Sequence, residues 1–142
     1  MHIEISTDPS CITEQQLAYI YASVGFGAES DYIGRPDLMA QLFGPGVFGC
    51  FALHAGEPVG LLRAFSDGCM VAWIAEICVI PSHQRMGIGR LLMEAADEHF
   101  GGLALYADAF THNEGFFNAC GLRSRAILTA CARAPLRHQA AA

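Results

Sequence analysis

One segment near the middle of the chain restricts the fold most, because it reads as a strand, a glycine-containing loop and the start of a helix. The strand half is mostly apolar as far as Ile80, and the loop carries the spacing Gln84-x-x-Gly87-x-Gly89. Apolar residues at helical spacing then predict an amphipathic helix over Ile88–Phe100. A loop of this kind presents several backbone N–H groups at the positive end of a helix dipole. The segment therefore predicts a binding site for a phosphate-bearing ligand.

The remaining pattern predicts a mixed sheet flanked by helices. Thr13, with Gln16 three residues later, is typical of a capping box at a helix start. The crossover through the Ile88–Phe100 helix predicts a parallel strand pair, whereas the earlier hairpins predict antiparallel neighbours. We expect an α/β (α+β) fold with a mostly antiparallel, six- to seven-stranded sheet in a single domain, residues 1–142. The predicted strands are His2–Ser6, Val47–His54, Pro58–Phe65, Cys69–Ile80, Leu103–Ala107 and Arg123–Ala132, and the other predicted helices follow Thr13 and span Pro36–Phe43 and Asn113–Cys120.

Composition excludes several classes of protein. The chain has 142 residues, 53% of them hydrophobic and 15% charged, which allows a sizeable core and excludes a disordered chain. A net charge of −6 without a run of Lys or Arg argues against nonspecific nucleic-acid binding. No apolar stretch reaches the ~18 residues of a membrane span and the N-terminus does not resemble a signal peptide, so we expect a cytoplasmic protein without a membrane partner. The cysteines show no zinc-ligand spacing, so we expect reduced thiols and no metal.

Other interpretations of the glycine loop compete with this one. A Walker A loop needs a Lys-Ser or Lys-Thr pair after its glycines, and the chain has neither. A dinucleotide fingerprint, as in a nicotinamide-dependent oxidoreductase, needs a third glycine where Leu92 stands. In that fold a tight turn joins the strand to the first glycine, whereas here the six residues Pro81–Met86 separate the strand from Gly87. In favour of this alternative, Asp108 lies near the position of a ribose-binding acid. A turn that only joins a strand to a helix is a further alternative.

Two motifs together resemble the GCN5-related N-acetyltransferase (GNAT) family. The family signature [QR]-x-x-G-x-[GA] is matched by Gln84–Gly89, which follows Val79-Ile-Pro81. A second signature, close to F-Y-E-K-x-G-F, is matched by Phe116–Leu122 on the next short helix. The resemblance implies a GNAT-like acyl-CoA N-acyltransferase fold, in which two central parallel strands, here ending near Ile80 and Ala107, splay apart.

The resemblance implies acetyl-CoA, or another acyl-CoA, as acyl donor. The backbone amides of Arg85–Arg90 would cradle the pyrophosphate, and Gly87 and Gly89 would allow close approach. The backbone of Ile77–Val79 would pair with the pantetheine arm as a strand does. The residues that the resemblance places at the cofactor are Ile77, Cys78, Val79, Gln84, Arg85, Met86, Gly87, Ile88, Gly89, Arg90, Asn113 and Phe117, the last being equally well explained as a core residue.

Transfer to an alkyl amine needs a proton acceptor, because such an amine has a pKa near ~10.4 and is mostly protonated at neutral pH. Glu76 is the candidate base, since it is the charged residue in an otherwise apolar strand beside the thioester position. A Glu paired on the open face of the sheet is the alternative. Asp108 and His112 are further candidates that loop roles explain better. A backbone amide of Val79 or a neighbour would stabilise the oxyanion.

The chain departs from the family at the general acid. Many members carry a Tyr where Phe117 stands, and Phe has no proton to give to the leaving thiolate. A thiol has a pKa near ~8.5, so the thiolate is a tolerable leaving group without help. Tyr106 or Cys120 could substitute, although Tyr106 is expected in the core.

The predicted function is N-acetylation of a primary amine on a small-molecule or peptide acceptor, by direct attack in a ternary complex. The alternative is a non-catalytic CoA-binding module of the same fold. Neither nucleic acid nor membrane is expected as a partner, and a homodimer is possible. The acceptor should contact the Gly25–Gly34 loop, the second helix and the final strands, where Glu29, Asp31, Tyr32 and Arg35 would suit a polar or cationic amine.

Overall fold

Five strands form one sheet in the computed structural model, which describes residues 1–134. The strands lie in the sheet in chain order, and only the last pair is parallel, as the crossover helix predicts. The mixed, mostly antiparallel sheet is therefore confirmed. The strands are β1 (Ile3–Ser6), β2 (Val47–His54), β3 (Glu57–Ser66), β4 (Val71–Val79) and β5 (Ala104–Ala107).

Four α-helices flank the sheet in the described part of the chain, residues 1–134. The capping box predicted for the first helix is present, because Thr13 Oγ1 accepts from Gln16 N at 3.2 Å and Thr13 N donates to Gln16 Oε1 at 2.9 Å. Among residues 1–134, no helix has the length and apolarity that crossing a membrane would require. The helices are α1 (Glu14–Ser23), α2 (Leu38–Leu42), α3 (Ile88–Phe100) and α4 (Glu114–Ala119), and 3₁₀ turns lie at Pro9–Cys11, Glu29–Asp31, Pro81–His83 and Thr111–Asn113.

Helices α3 and α1 lie on opposite faces of the sheet. Leu92 of α3 lies against Gly60 of β3, because a Cβ added to Gly60 would stand 3.5 Å from Leu92 Cδ1. We call this side the α3 face. Alternate residues of β3, including Leu61 and Arg63, point to the opposite side, where Tyr21 of α1 lies. We call that side the α1 face.

One irregularity in β4 changes the face of the sheet to which its side chains point. The register of β3 and β4 shifts between Arg63, which faces Glu76, and Ala64, which faces Ile74. Ala75 is thus an extra residue in β4, the arrangement of a β-bulge. Because of this residue, Trp73 and Glu76 both point to the α1 face, although their spacing would otherwise put them on opposite faces.

The prediction of a last strand over Arg123–Ala132, and with it a count of six to seven strands, was wrong for the described residues. Residues 123–134 form no strand, and Ile127 and Leu128 are 93% and 60% exposed. A strand needs ladder partners and a buried face. This segment buries neither of its large apolar side chains, and the neighbouring β5 is only 4 residues long. Residues 135–142 lie outside the described residues.

Candidate active site

The parallel strands β4 and β5 separate partway along β4. Within the described residues, β5 pairs with β4 only over Val71–Ile74, whereas β4 keeps its pairing with β3 as far as Val79. Among the described residues, the second half of β4 therefore has a strand neighbour on one edge and none on the other. We call the region beside this unpaired edge the β4–β5 gap. It lies where the resemblance implies a splay between strands ending near Ile80 and Ala107.

Backbone groups of β4 point into the β4–β5 gap at alternate residues. Ile80 N donates to Val59 O at 2.9 Å, which sets the phase of the β3–β4 ladder. Because bonded and non-bonded pairs alternate in an antiparallel ladder, the backbone groups of Ile77 and Val79 point into the gap. Those of Cys78 point toward β3. Burial raises the pKa of the Cys78 thiol to about 12, so this side chain stays a neutral thiol rather than a nucleophile.

The loop between β4 and α3 leaves its backbone N–H groups accessible. Arg85 and Gly87 have positive φ values of 61° and 82° on either side of Met86. Gly87 is the N-cap of α3 and offers no side chain, so the first-turn N–H groups lack a side-chain cap. Apart from Gly87 and its chain neighbours, no described residue comes within 4 Å of the position that a Cβ on Gly87 would take. Successive N–H groups in such a turn at a helix start form a common anion-binding geometry.

Charges around this loop suit an anionic ligand. The first turn of α3 has no acidic residue, and both Arg85 and Arg90 are exposed. Arg90 pairs with Glu94 at 3.3 Å, but an exposed pair of this kind contributes little to stability, so the guanidinium can turn to another anion at small cost. Ile88 differs from these residues, because its side chain is buried and anchors α3 on the sheet.

Gln84 connects the loop to the end of β4. Its Nε2 donates to Val79 O at 2.8 Å, which is the carbonyl that points into the β4–β5 gap. The 3₁₀ turn Pro81–His83 precedes it and accounts for the long approach seen in the sequence. The glutamine of the motif thus sets the shape of the loop and leaves the N–H of Val79 for another partner.

Helix α4 packs beside the start of α3. A Cβ on Gly89 would stand 3.2 Å from the ring of Phe116, so a larger residue would displace that ring. Phe117 is 8% exposed and belongs to the core, and its ring meets Phe116 edge-on at 5.2 Å. Asn113 is exposed at the N-cap of α4 and makes no side-chain capping bond there.

Glu76 lies on the α1 face, and three donors hold its carboxylate. Tyr21 Oη donates to Oε1 at 2.5 Å. Arg63 Nε donates to the same oxygen and Arg63 Nη2 donates to Oε2 at 3.2 Å, so the ion pair is bidentate. The side chains of Arg63 and Glu76 are 13% and 15% exposed, and their pairing offsets the cost of burying each charge.

Burial and the contacts within this cluster shift the pKa values of Arg63 and Tyr21. Burial is the largest single effect and opposes the charged form of Arg63, but the hydrogen bonds and electrostatic interactions with Glu76 and Tyr21 together outweigh it and raise the pKa of the guanidinium. Burial, and then the negative charge of Glu76, raise the pKa of Tyr21, so its hydroxyl remains a donor. A second bond from Arg63, in which Nη1 donates to Leu42 O at 2.9 Å, fixes the guanidinium against α2.

The predicted acceptor loop reaches this cluster through aromatic packing. The Tyr32 ring lies 5.2 Å from the Tyr21 ring, and Tyr32 Oη donates to Phe26 O. Asp31 Oδ2 accepts from Ala28 N at 2.8 Å, so that carboxylate is part of the turn itself. Glu29 and Arg35 are exposed, and Arg35 Nη1 donates to Asp31 O at 3.3 Å.

The remaining candidates follow β4 in the chain, and Tyr106 differs from expectation. Asp108 and His112 are exposed after β5, and the His112 ring stacks on Phe110 at 5.7 Å. Burial raises the pKa of Cys120 at the end of α4. The expectation that Tyr106 lies in the core was wrong, because its side chain is 42% exposed on the α1 face.

Two residues of the Glu76 cluster were missed from the sequence. Arg63 is the one charged residue between Pro58 and Phe65, as Glu76 is in the following strand. Two single charges in neighbouring apolar strands indicate an ion pair, and this signal could have found Arg63. Tyr21 could not be found in this way, because its contact depends on how α1 lies across the sheet.

The site consists of a gap between two parallel strands and a helix start without a side-chain cap. This geometry suits an extended, phosphate-bearing ligand. The sequence model of the Acetyltransferase (GNAT) family matches residues 14–122. That stretch contains β2 to β5 and all four helices. The chain therefore belongs to the GNAT acetyltransferase family.

Solved structures of this family have the same fold. A GNAT family acetyltransferase from Streptococcus pneumoniae aligns with a TM-score of 0.72 and 22% identity, over 97% of this chain and 100% of that one. An aminoglycoside acetyltransferase from an uncultured soil metagenomic sample aligns with a TM-score of 0.73 and 20% identity, over 94% and 100% of the two chains. At these identities the likeness establishes the fold.

A curated relative shares part of the sequence. GCN5-related N-acetyltransferase 3, chloroplastic, of Arabidopsis thaliana is 39% identical over 69 residues. The matched segment covers 46% of this chain and 29% of the relative, so the chain spans less than a third of that protein.

Proposed function

We propose that this protein is an N-acetyltransferase that moves the acetyl group of acetyl-CoA to a primary amine by direct attack. The observation that carries the proposal is that the β4–β5 gap leads straight to the open N-terminus of α3. An extended ligand with a phosphate at one end could lie along the gap as a strand and end on the loop. Acetyl-CoA has that shape and that charge distribution.

The donor would be held mainly by backbone groups. The N–H groups of Arg85–Arg90 receive the pyrophosphate, and Gly87 leaves room for it. Ile77 and Val79 pair with the pantetheine arm, because their backbone groups point into the gap. Asn113, which is exposed and makes no side-chain capping bond, would contribute its side chain to the cofactor site, as the family resemblance implies.

The chemical step joins the amine nitrogen to the acetyl carbon and breaks the carbon–sulfur bond. The developing oxyanion needs an N–H donor, and the N–H of Ile77 or Val79 is available in the gap. The leaving thiolate takes a proton from solvent. Phe117 is buried without a hydroxyl, so it gives none.

Glu76 is the proposed acceptor of the amine proton, through a water molecule. A carboxylate has about four lone-pair sites, and Tyr21 and Arg63 occupy three of them. One site on Oε2 remains for a bridging water. In this arrangement Tyr21 and Arg63 are positioning residues that hold the carboxylate on the α1 face beside the gap.

The proposal is tested by release of free CoA thiol from acetyl-CoA with a panel of primary amines. We expect amine-dependent release and a product that carries one acetyl group per thiol. Release that does not depend on any amine would contradict the proposed reaction. Mass spectrometry of the acceptor separates transfer from simple thioester hydrolysis.

The same residues could also bind CoA without turnover. Two observations favour this second function: both Glu76 oxygens already have donors, and Phe117 stands where many family members carry a Tyr. Saturable CoA binding together with no turnover on small amines or peptide amines would support the binding module. Turnover of one amine would exclude it.

A further inference from the structure

Three aromatic side chains form a row across β3, β4 and β5 on the α1 face. Phe65 faces Trp73 in the β3–β4 register, and Trp73 faces Tyr106 in the β4–β5 register. The Trp73 and Tyr106 rings stack at 5.4 Å with an angle of 18° between them. All three side chains are solvent-exposed, by 46%, 41% and 42% in the order given. We call this feature the aromatic row.

The aromatic row lies next to the proposed reaction centre. Trp73 and Glu76 are neighbours on the α1 face of β4, two ladder rungs apart because of the bulge, which is about 7 Å along a strand. The β4–β5 pairing ends at Ile74, so the gap opens directly beyond the Trp73–Tyr106 pair. The rings of Trp73 and Tyr106 therefore lie beside the start of the gap on the α1 face.

The neighbouring charges indicate which chemistry the aromatic row accepts. Arg63 lies over the Phe65 ring at 5.6 Å, so one end of the row already has a cation. A second cation at that end would be repelled, whereas a flat uncharged ring can stack on Trp73 or Tyr106. Glu76 lies beside Trp73 on the gap side of the row, and the remaining site on its Oε2 can accept a hydrogen bond from an amine through a bridging water. The row thus suits a ligand with a ring at one end and an amine at the other.

We infer that the aromatic row is the acceptor subsite and that it selects a primary amine joined by a short alkyl chain to an aromatic ring. This inference rests on the proposed acetyl transfer for its reaction, but the subsite can be tested without turnover. The ring stacks on Trp73 and Tyr106 while the amine nitrogen points toward Glu76. Aliphatic amines of the same length lack the stacking partner and bind more weakly.

Trp73 is the single tryptophan of the chain, so its fluorescence reports directly on the aromatic row. The experiment titrates phenethylamine into the protein saturated with CoA, with n-butylamine as the aliphatic comparison. Phenethylamine should change the Trp73 emission saturably, at a Kd about tenfold below that of n-butylamine. Equal responses to the two amines, or no saturable response, would overturn the subsite.

Variants separate the row from other exposed aromatics. Tyr106→Leu should weaken phenethylamine binding about tenfold, whereas Tyr19→Leu, at a 52% exposed residue of α1, should leave it unchanged. An equal loss in both variants would contradict the assignment. Emission that depends on protein concentration without ligand would also contradict it, because a second copy would then cover the row.

Turnover provides an independent measurement. The ratio of kcat/KM for phenethylamine to that for n-butylamine should fall about tenfold in Trp73→Leu and recover in Trp73→Phe, while CoA affinity stays constant. Amine binding at the row without any turnover would overturn the proposed acetyl transfer and leave the subsite standing. Turnover whose amine preference is unaffected by Trp73→Leu would overturn the subsite and leave the acetyl transfer standing.

Discussion

At the loop between β4 and α3 the backbone presents the binding groups, whereas at Glu76 side chains from two other elements, α1 and β3, converge on one carboxylate. The loop offers N–H groups with no side-chain cap around Gly87. The carboxylate of Glu76 already has donors from Tyr21 and Arg63. The loop is thus built to receive an external anion, and the cluster is built to hold an internal one. Binding of acetyl-CoA should therefore depend on the backbone conformation and open space at Gly87. Catalysis should depend on the hydrogen bonds that Tyr21 and Arg63 make to Glu76, and substitutions there should be poorly tolerated.

The largest expected effect tests the loop. Gly87→Glu puts a carboxylate and a side chain into the space proposed for pyrophosphate, and we expect CoA binding to fall at least about a hundredfold. Gly102→Glu is the matched control, because Gly102 has φ +88°, has open surroundings and follows the far end of α3, about 20 Å away. Calorimetric titration of CoA measures both variants. Similar affinities for the folded proteins would show that the loop does not hold the pyrophosphate.

The next effect tests the Glu76 cluster. Glu76→Gln should lower kcat by about 10²–10³-fold at neutral pH, with partial recovery at high pH where the amine is already deprotonated. The variant also leaves Arg63 without a counter-ion, which itself destabilises the fold. The control is therefore the double variant with Arg63→Met, in which stability should return toward wild type and activity should stay low. Wild-type activity in either variant would mean that Glu76 is only a structural ion-pair partner.

A smaller effect on stability separates the contribution of the Tyr21 hydrogen bond from that of the Arg63–Glu76 ion pair. Tyr21→Phe removes one hydrogen bond to the carboxylate and leaves the Arg63 pair, at a cost of about 1.5 kcal/mol in unfolding free energy. For a domain of this size the Tm should fall by roughly 5 °C. Thermal unfolding followed by circular dichroism measures this change. An unchanged Tm would mean that Tyr21 contributes no net stability through Glu76.

The smallest expected effect is on stability at low pH and concerns Asp67. Backbone N–H groups bind its carboxylate, as the N–H groups of the loop are proposed to bind an external anion. Asp67 Oδ1 accepts from the N–H groups of Cys69, Met70 and Val71 at 2.9, 2.8 and 3.1 Å, and these bonds lower its pKa to about 2. Because the folded pKa is below the ordinary 3.8, the stabilisation is present above that pH and is lost as pH falls toward 2. The Tm difference between wild type and Asp67→Asn should therefore be constant near neutrality and shrink in acid. A difference that grows in acid would contradict this sign.

The backbone-built region could be predicted from the sequence largely because its determinants are local. Val47–His54 and Ile88–Phe100 form a strand and a helix with the predicted bounds. The glycine spacing predicted an open helix start, and Gly87 has the positive φ that such a loop requires.

The side-chain region could be predicted only in part, because it depends on register and packing. Glu76 stood out as a charge in an apolar strand, but its pairing with Arg63 follows from the β3–β4 register, and the bulge at Ala75 decides which face Glu76 shares with Trp73. The aromatic row combines residues from three strands and has no local pattern. The prediction of a final strand over Arg123–Ala132 was wrong because its residue types do not reveal that Ile127 and Leu128 stay exposed.

Amide hydrogen exchange at β4, with and without CoA, tests the central claim most directly. If the pantetheine arm pairs with β4 in the β4–β5 gap, CoA should slow exchange of the Ile77 and Val79 amides. The Cys78 amide, which points to β3, should exchange at the same rate in both states. NAD at the same concentration should leave all three rates unchanged. Equal slowing of all three amides by CoA, or no slowing at Ile77 and Val79, would contradict the account.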